Sequence, residues 1–120
     1  MLENMQTRVN ADTALVRRGR WVNLSFLLGI DAEDYVVTIA EGKVAAVVPR
    51  GLATDTGCFT IRAARETWVE HWSPTPKRDY HDIWSMLPKG LVAIDGDLVP
   101  FIQNLQYFKD VIATLRVEGE

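Results

Sequence analysis

Gly90-Leu91-Val92-Ala93-Ile94-Asp95-Gly96-Asp97-Leu98, with the apolar residues that continue to Leu115, is the stretch from which the fold class can be argued. Leu91 to Asp95 reads as a strand. Asp95-Gly96-Asp97 reads as a turn whose last acid caps the helix that follows, because its carboxylate can accept from the free N–H groups of the first turn. Pro100 fits inside that turn, where its missing N–H removes no internal bond. Leu98, Phe101, Ile102, Leu105, Phe108, Ile112 and Leu115 then recur at steps of three and four, which predicts one continuous amphipathic helix. A helix with such a stripe must lie on an apolar surface.

Working back along the chain, Asp79 reads as the cap of a helix with Asp82 in its first turn and Tyr80, Ile83, Trp84 and Leu87 as its apolar stripe, closed by Pro88 and Gly90. Before it, Ala64 to Trp72 is a helix that sets Trp68 and Trp72 one turn apart on one face, with Glu66 and Glu70 toward solvent, ended by Pro74 and Pro76. Cys58 to Ala63 is a strand with Phe59, Ile61 and Ala63 on one face. Pro49 to Gly57 leaves the sheet edge and crosses over. Three alternating runs precede it: Trp21 to Leu28, then Tyr35, Val37 and Ile39, then Val44, Ala46 and Val48, the last two joined by the Glu41-Gly42 turn into a meander. Asn10 caps a short helix over Ala11 to Arg18 that Gly19 ends, and Arg17 and Arg18 suit the negative end of its dipole. The tally is an α+β domain, five strands in a mostly antiparallel sheet with helices packed on one face, spanning residues 1–120 as a single domain.

Composition narrows the function classes. The 120 residues are 48% apolar and 24% charged, enough for one hydrophobic core without disulfides or metals. With 13 basic and 16 acidic side chains the net charge is -3, which argues against a nucleic-acid partner. No run approaches the ~18 apolar residues of a membrane-spanning helix, and the first ten residues lack the apolar core of a secretory signal, so a cytoplasmic location is expected. Cys58, the lone cysteine, reads as a small buried residue of its strand and excludes an internal disulfide.

Chemistry-bearing motifs are scarce. His71 and His81 are the two imidazoles, separated by the Pro74–Pro76 break, so the spacing of a helical zinc site is absent and no metal is expected. Tyr80-His81-Asp82 offers a base beside an acid, but neighbours on a helix point about 100° apart, and surface or capping roles fit these groups better. Ser25, Ser73 and Ser85 sit in no nucleophile elbow, and no glycine-rich phosphate loop occurs. The Arg17-Arg18-Gly19-Arg20 cluster reads as a helix end rather than a phosphate clamp. What stands out instead is aromatic: of the four tryptophans, Trp68, Trp72 and Trp84 are expected to face a closing helix that carries Phe101 and Phe108. Such rings either fill a core or line a hollow.

The Gly90 to Leu98 segment with its following helix resembles the signature near the C-terminus of the sterol carrier protein type 2 family, and its Trp-rich, Pro-containing form is similar to a divergent bacterial branch. The Phe59-Thr60-Ile61-Arg62-Ala63 strand ahead of a Trp68-bearing helix fits the same pattern, and the likeness extends over about residues 20 to 116. The resemblance implies non-catalytic binding or carriage of a sterol, fatty acid or acyl chain in an apolar cavity between sheet and helices, with no cofactor. It puts Trp68, Trp72, Ile83, Trp84 and Leu87 on the middle helices, and Leu98, Phe101, Ile102, Leu105 and Phe108 on the closing helix, as the ligand-binding wall. The sequence departs from the pattern in a short N-terminal helical region and in bulky tryptophans around Pro74 and Pro76.

A second reading comes from another class. With a filled core, an exposed sheet edge or tryptophan face would pair with a partner enzyme or with a second copy as a homodimer, and Trp21 and the segment around Pro74 are the places to look for that contact. An enzyme using Tyr80, His81 and Asp82 is a third.

Overall fold

The computed structural model describes residues 2–51 and 57–116. Its five strands are β1 (Asn23–Ile30), β2 (Glu33–Ala40), β3 (Lys43–Pro49), β4 (Phe59–Ala63) and β5 (Val92–Gly96). They form one sheet in the order β3-β2-β1-β4-β5. The expected meander is present: β1 runs antiparallel to β2, from Asn23 opposite Ala40 to Ile30 opposite Glu33, and β2 runs antiparallel to β3. The crossover makes β4 parallel to β1, and β5 closes antiparallel on β4, so the α+β, mostly antiparallel expectation holds. Glu41 and Gly42 both take positive φ, 53° and 81°, as a tight hairpin of this twist requires. Gly42 is further constrained because a Cβ there would sit 2.7 Å from the backbone of Gly19.

The N-terminal helix departs from expectation. It is two helices, α1 (Met5–Ala11) and α2 (Thr13–Arg18), and Asp12 rather than Asn10 is the cap: its extended backbone stops α1 and its carboxylate accepts from Leu15 N at 3.1 Å. Asn10 instead grips the sheet edge. Its carboxamide accepts from Val44 N at 2.8 Å and donates to Val44 O at 3.0 Å, and Gln6 donates to Ala45 O, so α1 occupies edge groups of β3 that would otherwise face solvent.

Three further elements differ. The helix expected from Asp79 is a single turn, α4 (Ile83–Met86), capped by Asp82 through Trp84 N at 2.7 Å, while Asp79 lies outside it at φ 75°. The closing helix is broken at Asn104 (φ -123°, ψ 32°) into α5 (Leu98–Gln103) and α6 (Leu105–Ala113); the Asn104 side chain donates to Pro100 O at 3.1 Å, drawing the chain out of helical geometry. Cys58 is exposed one residue before β4, not buried within it. Its backbone matters more than its thiol, with Cys58 N donating to Ser25 O and Cys58 O accepting from Asp97 N, both at 2.7 Å. The long middle helix is α3 (Arg65–His71), within a residue or two of its expected bounds.

The core lies between the sheet and these helices. Phe26, Leu28, Ile30, Val37, Ile39, Phe59 and Ile61 point into it from the strands, and Met5, Val9, Leu15, Trp68, Phe101, Phe108, Val111 and Ile112 from the helices. In β4 the expected alternation is intact, with Phe59, Ile61 and Ala63 buried and Thr60 and Arg62 outward.

Candidate functional site

The region beneath α3, α5 and α6 is organised by rings. Phe26 and Phe59, neighbours on β1 and β4, stack with centroids 5.2 Å apart. Phe108 of α6 meets both edge-on at 5.6 and 5.1 Å, and Phe101 of α5 meets Phe59 edge-on at 5.3 Å and lies 6.0 Å from Phe108. Beside them Trp68 and Trp72 stack at 5.1 Å with planes 14° apart. Each indole N–H is satisfied by backbone: Trp68 Nε1 donates to Gly29 O and Trp72 Nε1 to Ile112 O, both at 2.9 Å, which ties α3 to β1 on one side and to α6 on the other.

Of the ten residues expected to form a ligand-binding wall, Trp68, Trp72, Ile83, Phe101 and Phe108 are buried together, and Leu87, Leu98 and Leu105 are half-buried against them. Trp84 and Ile102 stand apart, 46% and 55% exposed. In the one-turn α4 it is Ile83 and Met86, three residues apart, that take the inward face and leave Trp84 outside. Ile102 lies next to the break at Asn104, which interrupts the stripe before it reaches Phe108. Phe26, Phe59, Tyr107 and Val111 belong to the same region and were not among the ten. The period-two pattern of the strands was the signal for Phe26 and Phe59; nothing comparable marks Tyr107, whose hydroxyl donates to Gly42 O at 2.6 Å and whose burial pushes its pKa up to about 12.

His71, expected at the surface, is 1% exposed. Its Nδ1 faces Tyr80 O at 2.7 Å, so the ring carries its proton there, and its buried Nε2 has no partner among the described residues. Burial lowers its pKa; the hydrogen bond to Tyr80 O opposes this as the next largest influence, and the Arg116 guanidinium adds a lesser push downward. Arg116 in turn donates to His71 O and His81 O, both at 3.0 Å, beside a recess of about 150 Å³ that also takes in Asp82 and Lys109. Asp82 directs its carboxylate to Trp84 N and to Lys109 Nζ at 2.7 Å, not to His81. Tyr80-His81-Asp82 therefore does not assemble as a base with its orienting acid.

Among the described residues no group of three or more His, Cys, Asp or Glu converges as a metal site, and no helix is long and apolar enough to cross a membrane.

No family model and no curated protein matches the sequence. Solved structures do match. A crystal structure of sterol carrier protein 2 superposes with a TM-score of 0.75 at 16% identity, covering 98% of this chain and 94% of that one. A conserved hypothetical protein of Thermus thermophilus put forward as a sterol carrier protein matches with a TM-score of 0.63 at 18% identity over 98% and 86% of the two chains. The UbiJ-SCP2 ubiquinone synthesis protein matches with a TM-score of 0.61 at 18% identity over 92% and 84%. At these identities the likeness establishes the fold, that of sterol carrier protein 2, which is the one the Gly90 to Leu98 segment resembles.

Proposed function

We propose that this chain binds and carries a hydrophobic ligand such as a sterol, fatty acid or acyl chain, held between the sheet and helices α3 to α6. In this reading residues 1–120 act as one carrier domain in the cytoplasm, without a cofactor, metal or reaction of its own. One observation carries it beyond the fold: α5 is apolar on both sides. Phe101 is 1% exposed on its inner face while Val99 and Ile102 are 59% and 55% exposed on its outer one, and non-helical residues, Asp97 and Asn104, flank it. A short helix bounded by two such joints can swing outward and return.

The energetics permit it. Unpacking a phenylalanine such as Phe101 costs about 3–5 kcal/mol. A ligand chain of about ten methylenes gains ~8 kcal/mol gross on leaving water, before the cost of association. Native mass spectrometry of freshly purified protein should show an adduct of a few hundred daltons, and delipidated protein should take up a fluorescent fatty acid that unlabelled sterol or fatty acid displaces. A clean apoprotein that takes up neither would remove the reading.

The mutual contact of Phe26, Phe59, Phe101 and Phe108 favours a second reading, an interaction module with a filled core that partners an enzyme or a second copy. A clean dimer in the same mass spectrum, with no uptake of the fatty acid, is its signature.

A further inference from the structure

One polar atom beside the buried rings has no partner. His71 is 1% exposed, and among the described residues its Nε2 bonds to nothing. An unsatisfied polar atom in the interior costs more free energy than an ordinary hydrogen bond contributes, so a fold that keeps one there calls for a reason. The rest of the ring is accounted for. Nδ1 donates to Tyr80 O at 2.7 Å, which fixes the tautomer and leaves Nε2 a bare acceptor. Burial disfavours the charged ring and keeps Nε2 in that form.

Two surroundings meet at this imidazole. The Trp68 indole packs against it with ring centroids 5.9 Å apart, and Trp68 stacks in turn on Trp72. His71 also lines the recess of about 150 Å³ between the end of α3, α4 and α6, together with Ile83, which is itself 1% exposed. Both residues therefore belong to the recess and to the buried wall.

The charged groups of the recess leave no net charge for an ion to meet. Lys109 and Arg116 stand against Asp82 and Asp110. Asp82 is held by Lys109 at 2.7 Å and by Trp84 N, while Asp110 takes Arg18 at 2.6 Å on one oxygen and Gln106 at 2.9 Å on the other. Arg116 directs donors to His71 O and His81 O. An ionised head entering here would lose its water without an uncommitted counter-charge. A carboxylate would also bring no hydrogen for Nε2 to accept. A hydroxyl brings one and carries no charge.

We propose that His71 Nε2 receives the hydroxyl of a neutral, alcohol-headed lipid whose hydrocarbon chain lies against Trp68 and Trp72. This assignment rests on the carrier reading and narrows its cargo, from any apolar chain to one whose polar end donates a hydrogen bond. An ether of the same length has the same chain and no hydrogen to give.

Delipidated full-length protein is titrated with 1-dodecanol, dodecyl methyl ether and laurate at about pH 7.5, where the imidazole is neutral and laurate is ionised. Tryptophan emission, to which Trp68 and Trp72 contribute, reads the binding. The alcohol should bind about tenfold more tightly than either of the others, the worth of one good hydrogen bond at an otherwise unpaired atom. His71→Asn keeps a carboxamide N–H for Tyr80 O and places nothing at Nε2, so it should bind all three with the weaker affinity. His71→Gln reaches to the position of Nε2 with its carboxamide oxygen and should recover most of the preference. Circular dichroism checks that the variants fold, and the three-ligand comparison on the native chain decides the head-group preference without them. Equal affinity for the three ligands, a preference for laurate, or a preference that folded His71→Asn retains would each overturn the assignment and leave the carrier reading standing. Uptake of none of the three would remove the carrier reading, and this assignment with it.

Discussion

Four tryptophans divide this molecule into two regions that the same residue type serves in opposite ways. Trp68 and Trp72 are stacked in the interior with both N–H groups bonded to backbone carbonyls of other elements. Trp21 and Trp84 are 82% and 46% exposed, and among the described residues no indole N–H bond holds either in place. The difference follows from what surrounds each ring. Trp68 lies on the inward face of α3 and Trp72 caps that helix one turn on, whereas Trp84 faces outward from a single-turn helix and Trp21 precedes the sheet. A count of aromatic residues thus says little about a ligand wall. Their partners decide whether a ring stabilises the fold or is available for something outside it.

That contrast can be broken most directly at Trp68. Trp68→Ala should cost about 3–5 kcal/mol in urea unfolding, from the cavity and from Gly29 O left unpaired. Trp84→Ala should cost no more than about 1 kcal/mol, so at this position a small loss of stability does not by itself identify a ligand wall. Similar losses from the two would dissolve the distinction.

Next in size is Tyr107, the link between the two regions. Tyr107→Phe removes only the hydroxyl and leaves Gly42 O buried without its donor, an expected loss of about 1–3 kcal/mol visible as a lowered Tm. If the variant melts with the native chain, the locking role assigned to this bond is wrong.

A pH titration of stability sharpens the interior side. Burial lowers the pKa of His71 in the folded chain, so the unfolded chain binds its proton more readily. The sign is fixed: this contribution is fully present above histidine's ordinary value of about 6.5 and is lost as pH falls through it toward the folded value. The unfolding free energy from urea curves should decline below about pH 6.5 with a slope no steeper than ~1.4 kcal/mol per pH unit, and His71→Asn should flatten that part of the curve. A midpoint that rises on acidification would contradict the buried neutral ring.

The smallest effect belongs to the exposed side. Trp21→Ala should change stability by no more than about 0.5 kcal/mol, read from the same urea curves. A larger loss would show that the indole belongs to the fold.

Much of the fold could be read from local pattern. The period of two in Phe59, Ile61 and Ala63, the Glu41-Gly42 turn, and the Asp97 cap with Pro100 behind it each correspond to an observed feature, because each depends on residues adjacent in the chain. The errors cluster where a polar side chain had two partners open to it. Asn10 chose the edge of β3, 34 residues away, over the helix start beside it, and Asn104 bonded Pro100 O and split a stripe that reads as unbroken. The candidate site shows the same division. Phe101 and Phe108 were legible from helical spacing, but their contact with Phe59, and of Phe59 with Phe26, depends on β4 crossing over to lie beside β1.

Sequence alone was enough for the class of architecture, the positions of most strands and the identity of the apolar faces, since these arise from periodicity and from the conformational preferences of Gly, Pro and Asp acting over a few residues. Only the assembled chain could decide which rings touch, that His71 is buried while Cys58 is not, and that Trp21 is left in solvent beside its arginines. Those outcomes come from packing between elements far apart in sequence, where a side chain's environment is set by whatever the topology brings against it.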